Sequence, residues 1–493
     1  MTNLRFPPFA ALLIGGAATL AGCSDQPVAT APAARANASV SAAPATHLVV
    51  FRNERAIPED FAAQVAALGG SVDAAYPGVG IAAVSGLGEQ GAAALRGHGA
   101  VAFVETDANV PFDAGPRRAG PEEEMIPDAE IATTGRPGHR AVLYRWQWNM
   151  QAINARPAWE AGFLGSPDVT VAILDTGIDP TLLDSEGLVD LERSRSFVAE
   201  DDSALAALYP GLHPISDLDG HGTNVALQVS SNARHFAGVT SRSTLMGVKV
   251  CSVYGYCGFG ATMAGVVYAV DAGADVINMS LGGGFLKRDC AGCVAIINRV
   301  LRYAERSGVT VVVAAGNEAM DLDRNGGYYN MFCGAPHVVC VSATGATSMG
   351  FRNSGPFPDA DSLAPYTNFG RSAISVAAPG GSYKLNPDGS IRSMARVFSA
   401  CSRTAMHYNR QTGELEQTIC SSLPDANMLT EYMGTSQSSA HVAGLAALLV
   451  ERHGRNPARI RQAIESSADQ LGSSGNDPYY GRGRINVARA LGL

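Results

Sequence analysis

The chain has 493 residues, of which 46% are hydrophobic and 16% charged, and its formal net charge is −9. This composition excludes an intrinsically disordered chain, and the length allows at least two folding units. The acidic balance, with no basic block to offset it, argues against nucleic acid as the main partner.

The first 22 residues predict an export signal. Arg5 precedes an apolar, glycine-containing segment that is too short to be a confident membrane span. The ending "LAGC" resembles the lipobox of bacterial lipoproteins, and this resemblance implies cleavage before Cys23 and a lipid on that cysteine. The alternative is an ordinary secretory signal followed by a chance cysteine. Both alternatives predict that the protein leaves the cytoplasm.

A small domain is predicted over residues 47–110, after a flexible tether at 23–46 that is rich in Ala, Pro and Ser. The runs "HLVVF" and "VAFVETD", which open and close this domain, are typical of strands. Between them, Phe61, Val65 and Leu68 share one face of a predicted helix. Two middle strands and a second helix complete the order βαββαβ, so the unit could be a free-standing binding domain.

Residues 111–144 predict an exposed linker. The chain is polar and rich in Pro and Gly from residue 113 to residue 140, which is typical of connecting segments. The linker leads to a larger unit that we place at residues 145–493.

The larger unit predicts a doubly wound α/β domain. Continuous apolar runs alternate there with helical segments, as they do in a parallel sheet that is buried on both faces. The runs are "DVTVAILD", "STLMGVKV", "DVINMSL", "VTVVVAAG", "HVVCVSA" and "AISVAAP". Functional groups of such sheets lie beyond the carboxyl ends of the strands, so polar residues at those ends are the candidates for chemistry.

Asp175 and His221 are the first two candidates. Asp175 ends the run "VAILD", where a semi-buried carboxylate can orient an imidazole, although a turn or N-cap aspartate gives the same pattern. His221 lies between Gly220 and Gly222 at the start of a predicted helix. Flanking glycines permit close backbone approach, which suits an imidazole held over a cleft, whereas a lone loop histidine is usually only solvated.

Asn317 and Ser436 are the other two candidates. Asn317 follows the run "VVVAAG", where its amide could donate to a developing oxyanion or serve only a turn. Ser436 precedes the small and apolar residues 438–450, which predict a helix buried on all sides. The helix N-terminus favours negative charge, so Ser436 is either a nucleophile or the N-cap of that helix.

The eight cysteines after Cys23 predict up to four disulfides, because an even count in an exported chain is typical of disulfide pairing. Near-neighbour pairing, such as Cys333 with Cys340, is the simplest arrangement. "CAGC" at 290–293 could instead be half of a zinc site, but no second CxxC or HxxxH motif completes it.

Five blocks resemble, in their order, the signature segments of the subtilisin-like protease family: "AILDTGID", "GHGTNVA", "INMSLGG", "AAGNE" and "GTSQSSAHVAG". The similarity covers roughly residues 145–493 and includes the closing segment "YGRGRINVARAL". The chain order Asp, His, Ser also differs from that of chymotrypsin-like enzymes and of α/β-hydrolases. The resemblance implies a subtilisin-like fold and a serine endopeptidase that hydrolyses polypeptide substrates through an acyl-enzyme.

The resemblance also implies roles for single residues. Asp175 would orient the imidazole, His221 would act as general base and then acid, and Ser436 would be the nucleophile. Asn317 and the backbone N–H of Ser436 would form the oxyanion hole. The residues expected to pair with an extended substrate backbone are Ser280, Leu281, Gly282, Gly258, Phe259 and Gly260.

By the same resemblance, residues 47–110 are an inhibitory propeptide, so the chain would be a zymogen that has its own prodomain as a partner. The maturation cut would fall in the linker. It would separate a membrane anchor on Cys23 from the catalytic domain and release that domain from the cell envelope.

The sequence departs from the family pattern at four positions near the candidate residues. Family members usually have His where Asn224 stands, Ser at Met433, Met at Gln437 and Pro at Ala440. These changes alter the packing around the candidate residues and so bear on rate and specificity.

The predicted chemistry requires no cofactor. Many relatives bind structural calcium beside the histidine helix, but the corresponding stretch "SSNARHFAG" supplies no carboxylate. The acidic stretch "DLDRN" could bind calcium elsewhere or be an ordinary solvated loop.

Two rival functions belong to other classes. The first is a catalytically silent lipoprotein that would bind peptides in the cleft without hydrolysing them. It is motivated by Asn224 and Gln437, which depart from the family pattern. A protease regulator would keep the small domain in place as a lasting inhibitor module. Labelling of Ser436 by a fluorophosphonate tests the first rival, and persistence of the uncleaved chain would support the second.

Overall fold

The computed structural model describes residues 46–112, 117–119, 136–346, 359–387, 391–417, 420–422 and 428–493. The predicted signal, the tether, Cys23 and most of the predicted linker lie outside these residues. Within the described ranges, no helix combines the length and the apolar character needed to cross a bilayer.

A four-stranded antiparallel sheet with two helices forms the N-terminal unit. Its elements are β1 (His47–Phe51), α1 (Phe61–Ala67), β2 (Ser71–Tyr76), β3 (Ile81–Ser85), α2 (Glu89–Arg96) and β4 (Val101–Thr106). The strand order is β2-β3-β1-β4. Phe61 and Val65 of the predicted helix face are buried, and the Phe61 ring meets Phe51 edge to face, with ring centroids 4.8 Å apart. This unit therefore has its own small apolar core.

The larger unit follows, preceded by two short strands. In chain order these elements are β5 (Asn109–Pro111), β6 (Arg117–Ala119), α3 (Trp148–Ala152), α4 (Arg156–Glu160), β7 (Thr170–Asp175), β8 (Arg195–Ser196), α5 (Ala199–Leu208), α6 (His221–Val229), β9 (Thr244–Lys249), β10 (Cys251–Ser252), β11 (Tyr256–Gly258), α7 (Phe259–Asp271), β12 (Val276–Met279), β13 (Gly284–Leu286), α8 (Ala291–Arg306), β14 (Thr310–Ala314), β15 (Tyr328–Asn330), β16 (Val338–Thr344) and β17 (Val376–Pro379). Three short 3-10 helices lie in connections, at Pro77–Val79, Gly138–Arg140 and Tyr144–Trp146.

Beyond β17 the chain forms a strand-rich part and then three helices. We call residues 382–432 the hairpin segment; the sequence did not predict its strands. Its strands are β18 (Ser382–Leu385), β19 (Ile391–Ala395), β20 (Val397–Ala400), β21 (Met406–Asn409), β22 (Glu414–Gln417), β23 (Ser421–Ser422) and β24 (Met428–Tyr432). The helices are α9 (Thr435–His453), α10 (Pro457–Ser466) and α11 (Val487–Ala490).

Seven parallel strands form the central sheet in the order β17-β16-β14-β12-β7-β9-β8. All six apolar runs identified in the sequence are strands of this sheet, and only the short edge strand β8 was not predicted. Successive residues of β7 face opposite sides. Val171 and Ile173 pack in the core that contains α6 and α9, while Ala172 and Leu174 pack in the core that contains α7 and α8. The predicted doubly wound α/β architecture is therefore confirmed.

The helix α9 is buried on all sides from Thr435 to Val450, as predicted. Its small residues permit close packing, since a Cβ placed on Gly444 would lie only 2.6 Å from Cβ of Val239. The helix begins earlier than predicted, and Gly434 occupies the N-cap position without a side-chain hydrogen bond. Ser436 is thus the second helical residue, and the interpretation of Ser436 as an N-cap is wrong.

Four disulfides join near neighbours in the chain: Cys251–Cys257, Cys290–Cys293, Cys333–Cys340 and Cys401–Cys420. The expected pairing of Cys333 with Cys340 is present. Because Cys290 and Cys293 pair with each other, the alternative zinc interpretation of "CAGC" is wrong.

Candidate active site

The four candidate side chains come from four elements that meet at the carboxyl edge of the central sheet. Asp175 is the last residue of β7, and Asn317 follows β14. His221 begins α6, and Ser436 lies in the first turn of α9. The edge predicted from the sequence pattern is therefore where these residues gather.

Glycines position the histidine helix against the end of β7. Gly220 precedes α6 in the left-handed conformation, with φ of 96°. A Cβ on Gly222 would lie 2.1 Å from the carbonyl oxygen of Gly177, so only glycine allows this approach. The close contact brings His221 next to Asp175.

Asp175 and His221 form a fully buried hydrogen-bonded pair. Oδ1 of Asp175 lies 2.8 Å from Nδ1 of His221, and both side chains are 0% exposed. Burial lowers the pKa of His221, but the charge of Asp175 and its hydrogen bond outweigh that effect, so the net pKa lies above the ordinary value of 6.5. The carboxylate therefore both orients the imidazole and stabilises its protonated form.

The hydroxyl of Ser436 does not bond to the imidazole in this conformation. Its Oγ donates to the carbonyl oxygen of Ser280 at 3.2 Å, and Nε2 of His221 has no hydrogen-bond partner among the described residues. Catalytic hydrogen bonds often tighten only when substrate is bound. The pair thus presents an open nitrogen acceptor at the start of α6, while the serine at the start of α9 is held by the end of β12.

Asn317 is oriented by the residue that precedes Ser436. Its Oδ1 accepts hydrogen bonds from the backbone N–H of Thr435 at 2.9 Å and from the Thr435 hydroxyl at 3.0 Å. The amide nitrogen lies on the side of Gly434, where an added Cβ would be 3.4 Å from Nδ2. With the oxygen already engaged, the amide is left as a donor at the start of α9.

Two aromatic rings frame the imidazole, and sequence reasoning missed both. Phe112 and Tyr432 meet His221 edge to face, with ring centroids 5.1 Å and 5.5 Å away. Phe112 directly follows β5, and Tyr432 ends β24 of the hairpin segment. Neither residue carries a motif, so no signal in the sequence could have placed them.

Asp217 was also missed, although it lies only four residues before His221. Its buried carboxylate accepts hydrogen bonds from the Thr176 hydroxyl at 2.9 Å, from the backbone N–H of Gly220 at 2.9 Å, and from both donors of Thr223. Burial raises the pKa of Asp217. The residue therefore ties the end of β7 to the first turn of α6.

The expected substrate-binding glycines contact a segment of this same chain. β11 pairs antiparallel with β5, and Gly258 is opposite Asn109. The backbone N–H of Phe259 donates to the Ala108 carbonyl at 2.9 Å, and that of Gly260 donates to the Asp107 carboxylate at 2.7 Å. The segment Asp107–Phe112 thus lies along this edge and ends at His221.

Residues 280–282, the other segment expected to pair with a substrate backbone, do not line the cleft as predicted. Ser280 bonds internally, because its hydroxyl donates to the Ser436 carbonyl at 2.9 Å, and Leu281 is buried in the core. The described structure has no strand ladder between β5 and residues 280–282. Instead, a Cβ on Gly283 would lie 2.9 Å from a methyl group of Val110. The wall opposite β11 is therefore formed one residue further along.

Two of the four departures from the family pattern, Asn224 and Gln437, take part in a buried hydrogen-bond network. Oδ1 of Asn224 accepts from Gln228 at 2.7 Å and from Gln437 at 3.5 Å, while its Nδ2 donates to the Ala400 carbonyl at 3.3 Å. Met433 and Ala440 are also buried. These contacts connect α6, α9 and β20 behind the candidate residues.

His235, in the stretch that corresponds to the calcium site of relatives, belongs to a second buried Asp–His pair whose aspartate, Asp184, lies outside that stretch. Oδ2 of Asp184 lies 3.1 Å from Nδ1 of His235. Across the described ranges, no three or more His, Cys, Asp or Glu side chains are grouped to hold a metal ion. In "DLDRN", the Asp323 carboxylate accepts hydrogen bonds from the backbone of Arg371 and Ser372.

Comparison with known proteins identifies the family and several relatives. A profile of the subtilase family matches residues 166–483. The thermophilic serine proteinase of Bacillus sp. (strain AK1) is 29% identical over 349 residues, 70% of this chain and 67% of that protein. Subtilisin of Bacillus pumilus is 28% identical over 347 residues, 70% of this chain and 98% of that protein. The crystal structure of a lanthipeptide protease has a TM-score of 0.55 at 25% identity and covers 71% of this chain and 96% of that one.

Proposed function

The chain belongs to the subtilase family of serine proteases, and on that premise we propose that it is an exported endopeptidase made as a zymogen. The observation that carries the proposal is the buried Asp175–His221 pair, which meets Ser436 and Asn317 at one sheet edge. The substrates are polypeptides, which would bind as an extended strand along β11.

The proposed reaction is acyl transfer. Ser436 attacks the peptide carbonyl while Nε2 of His221 takes the hydroxyl proton, and Asp175 stabilises the imidazolium that forms. The proton then passes to the leaving amine, the peptide bond breaks, and water attacks the acyl-enzyme by the same route in reverse. For this the hydroxyl must turn from the Ser280 carbonyl towards His221.

Asn317 supports the carbonyl oxygen as it gains negative charge. Its Nδ2 and the backbone N–H of Ser436 would donate to that oxygen at the N-terminus of α9, whose dipole adds to the stabilisation. Thr435 keeps the amide in this orientation through two hydrogen bonds. The group is thus preorganised, so little reorganisation is needed during reaction.

The proposal that the chain is a zymogen is supported by the segment Asp107–Phe112, which lies in the cleft. β5 adds a strand to β11, and Phe112 packs against the catalytic imidazole. The N-terminal unit, residues 47–110, would therefore inhibit the enzyme until its connection is cut within the 111–144 linker. Self-cleavage by Ser436 would release the catalytic domain.

Intact mass of the purified protein and of its Ser436→Ala variant tests the proposal. We expect the wild type to lose its N-terminal unit and the variant to remain full length. Fluorophosphonate should label the processed wild type at Ser436. If both proteins stay full length and neither is labelled, the zymogen proposal fails.

A second candidate function is a silent peptide-binding lipoprotein. The Ser436 hydroxyl bonds to Ser280 rather than to His221, and the buried Asn224–Gln437 contact replaces the family residues. A silent protein would bind peptides in the cleft and resist the fluorophosphonate. The protease regulator would instead remain uncleaved at steady state while inhibiting another protease.

Membrane attachment through Cys23 would make maturation a release step. The precursor would be anchored in the cell envelope, and the cut would leave the lipid with the propeptide. A blot of membrane and soluble fractions, with Cys23→Ala as control, tests this. A mature domain that stays in the membrane fraction after complete processing would contradict it.

A further inference from the structure

Building on the proposed function, we propose that Lys249 is a positioning residue for His221. Its buried ammonium group fixes residues 216–220, which lead directly into α6 and the imidazole. We call these residues the α6 loop. Lys249 lies at the end of β9, and its side chain bonds to neither Ser436 nor His221 among the described residues, so it would act through the loop.

Lys249 buries its charge completely. The side chain is 0% exposed, although lysine is almost never fully buried without compensation for its charge. Nζ donates a hydrogen bond to the carbonyl oxygen of Ser216 at 2.7 Å. A Cβ on Gly177 would lie 3.0 Å from Cε of Lys249, so the lysine stem packs closely against the turn that follows β7. The ammonium group is therefore held at a defined position between β9 and the α6 loop.

The α6 loop connects the ammonium group to the histidine helix in two steps. Lys249 holds the carbonyl of Ser216, which belongs to the peptide bond that precedes Asp217. Asp217 in turn accepts hydrogen bonds from the backbone N–H of Gly220 and from both donors of Thr223. A shift of the loop would therefore move the first turn of α6, which carries the catalytic imidazole.

Charge strengthens this connection. The negative charge of Asp217 raises the pKa of Lys249, although burial lowers that pKa overall. Because the interaction is mutual, the ammonium group favours the ionised form of Asp217, which burial disfavours. An ionised carboxylate accepts stronger hydrogen bonds than a neutral one. Without the ammonium group, Asp217 would hold the start of α6 less tightly.

A second buried carboxylate faces the same ammonium group but holds a different part of the chain. The charges of Asp201 and Asp202, both on α5, also raise the pKa of Lys249. Asp201 accepts hydrogen bonds from the Ser252 hydroxyl and from the backbone N–H of Val253. The other charged or titratable groups in the surrounding elements are Asp175, Arg195, Glu200, His213 and Asp219. Asp201 therefore offers a matched control for Asp217.

Lys249→Met tests the proposal, because it removes the charge and the donor but keeps an unbranched side chain of similar length. With a peptide of residues 107–122 as substrate, kcat of the processed enzyme should fall about tenfold, with KM within about twofold of wild type. The acid limb of the pH profile should move to higher pH, since loss of a positive charge raises the pKa of Asp217 and of His221. A side chain that only fills space would leave this limb in place.

Two further backgrounds show whether Lys249 acts through the α6 loop. In Asp217→Asn enzyme, adding Lys249→Met should lower kcat by less than about threefold, because the carboxylate charge is already absent. In Asp201→Asn enzyme, the loss should remain about tenfold. Asp201→Asn alone should keep kcat within about twofold of wild type. If circular dichroism shows that Lys249→Met does not fold, Lys249→Gln, which keeps a donor without the charge, takes its place.

The outcomes separate the two proposals. Equal losses in both backgrounds, or a folded Lys249→Met enzyme with unchanged kcat and acid limb, would overturn the positioning role while leaving the protease intact. If neither lysine variant folds, Lys249 serves the fold alone and the positioning role fails. If no peptide is cut and wild-type Ser436 resists fluorophosphonate, the protease proposal fails and the role of Lys249 fails with it.

Discussion

Two buried Asp–His pairs in this protein differ in how completely they are hydrogen-bonded. In the Asp184–His235 pair, the carboxylate also accepts hydrogen bonds from the Ser231 hydroxyl and from the backbone N–H groups of Arg234 and His235. In the Asp175–His221 pair, Oδ2 of the aspartate and Nε2 of the histidine have no partner among the described residues. The first pair is saturated, and the second leaves polar atoms available.

A buried Asp–His pair is therefore not, by itself, evidence of a catalytic group. A carboxylate whose acceptor sites are all occupied stabilises the backbone that donates to it, because each of these hydrogen bonds would be lost on unfolding. An Asp–His pair with unpaired buried polar atoms lowers the free energy of unfolding, but it leaves a nitrogen free to accept a proton. We therefore propose that the Asp184–His235 pair stabilises the fold and that the Asp175–His221 pair takes part in catalysis.

The largest expected effect comes from Asp175→Asn. Loss of the charge leaves His221 in the wrong tautomer and its imidazolium unsupported, so kcat should fall by about 10⁴. The melting temperature should fall less than in Asp184→Asn, since the Asp175 carboxylate accepts only from His221 and Thr176 and its Oδ2 is unpaired among the described residues. The variant is first processed by added wild-type enzyme, and kcat is then measured from initial rates at increasing concentrations of a peptide substrate. A loss below tenfold would contradict the assignment.

The same chemical change at Asp184 should affect stability instead. Asp184→Asn breaks a buried pair and weakens the backbone hydrogen bonds of the stretch after α6, which should lower the free energy of unfolding by about 3 kcal/mol. kcat at a temperature where the variant is folded should stay within threefold of wild type. Urea unfolding and kinetics on the same preparation compare the two variants directly.

Asn317→Ala tests the third group at the sheet edge. Removing one oxyanion donor should lower kcat by about 10²–10³ while KM stays nearly constant. Asn317→Asp keeps the oxygen that Thr435 bonds to but loses the donor, so it should be as impaired as the alanine variant. Activity close to wild type in the aspartate variant would show that Nδ2 does not act on the oxyanion.

The pH dependence should also distinguish the two regions. The pKa of His221 is raised, and the base must be neutral to accept the Ser436 proton, so kcat/KM should fall as pH drops through a value above 6.5. Asp175→Asn should move this acid limb to lower pH, because the stabilising charge is gone. Asp184→Asn should leave it in place. Rate profiles from pH 5 to 9 on the three proteins test this.

The smallest expected effect is that of Gln437→Met. The change keeps side-chain volume and removes only a 3.5 Å hydrogen bond to Asn224, so the free energy of unfolding should change by less than about 1 kcal/mol. kcat should stay within a few fold. A collapse of activity would mean that the buried chain through Asn224 positions the nucleophile more strongly than its geometry indicates.

The sequence was most informative where local pattern and tertiary position coincide. Apolar runs such as the one that ends at Asp175 predicted the strands of the sheet, because burial on both faces requires them. The glycines around His221 predicted close approach, which the Gly222–Gly177 contact confirms. The start of α9 was misplaced, since glycine at the N-cap gave no signal of its own and serines followed.

The sheet, the buried helix, the order of the candidate residues and one of the disulfides could be predicted from the amino-acid sequence. Each follows from periodicity, spacing or proximity along the chain. Three features became visible only in the folded chain: Phe112 and Tyr432 frame the imidazole, Asp217 ties β7 to α6, and β6 pairs with β24. These contacts join residues that are far apart in the sequence. They depend on packing and strand pairing, which produce no periodic pattern of residues that could be recognised in the sequence.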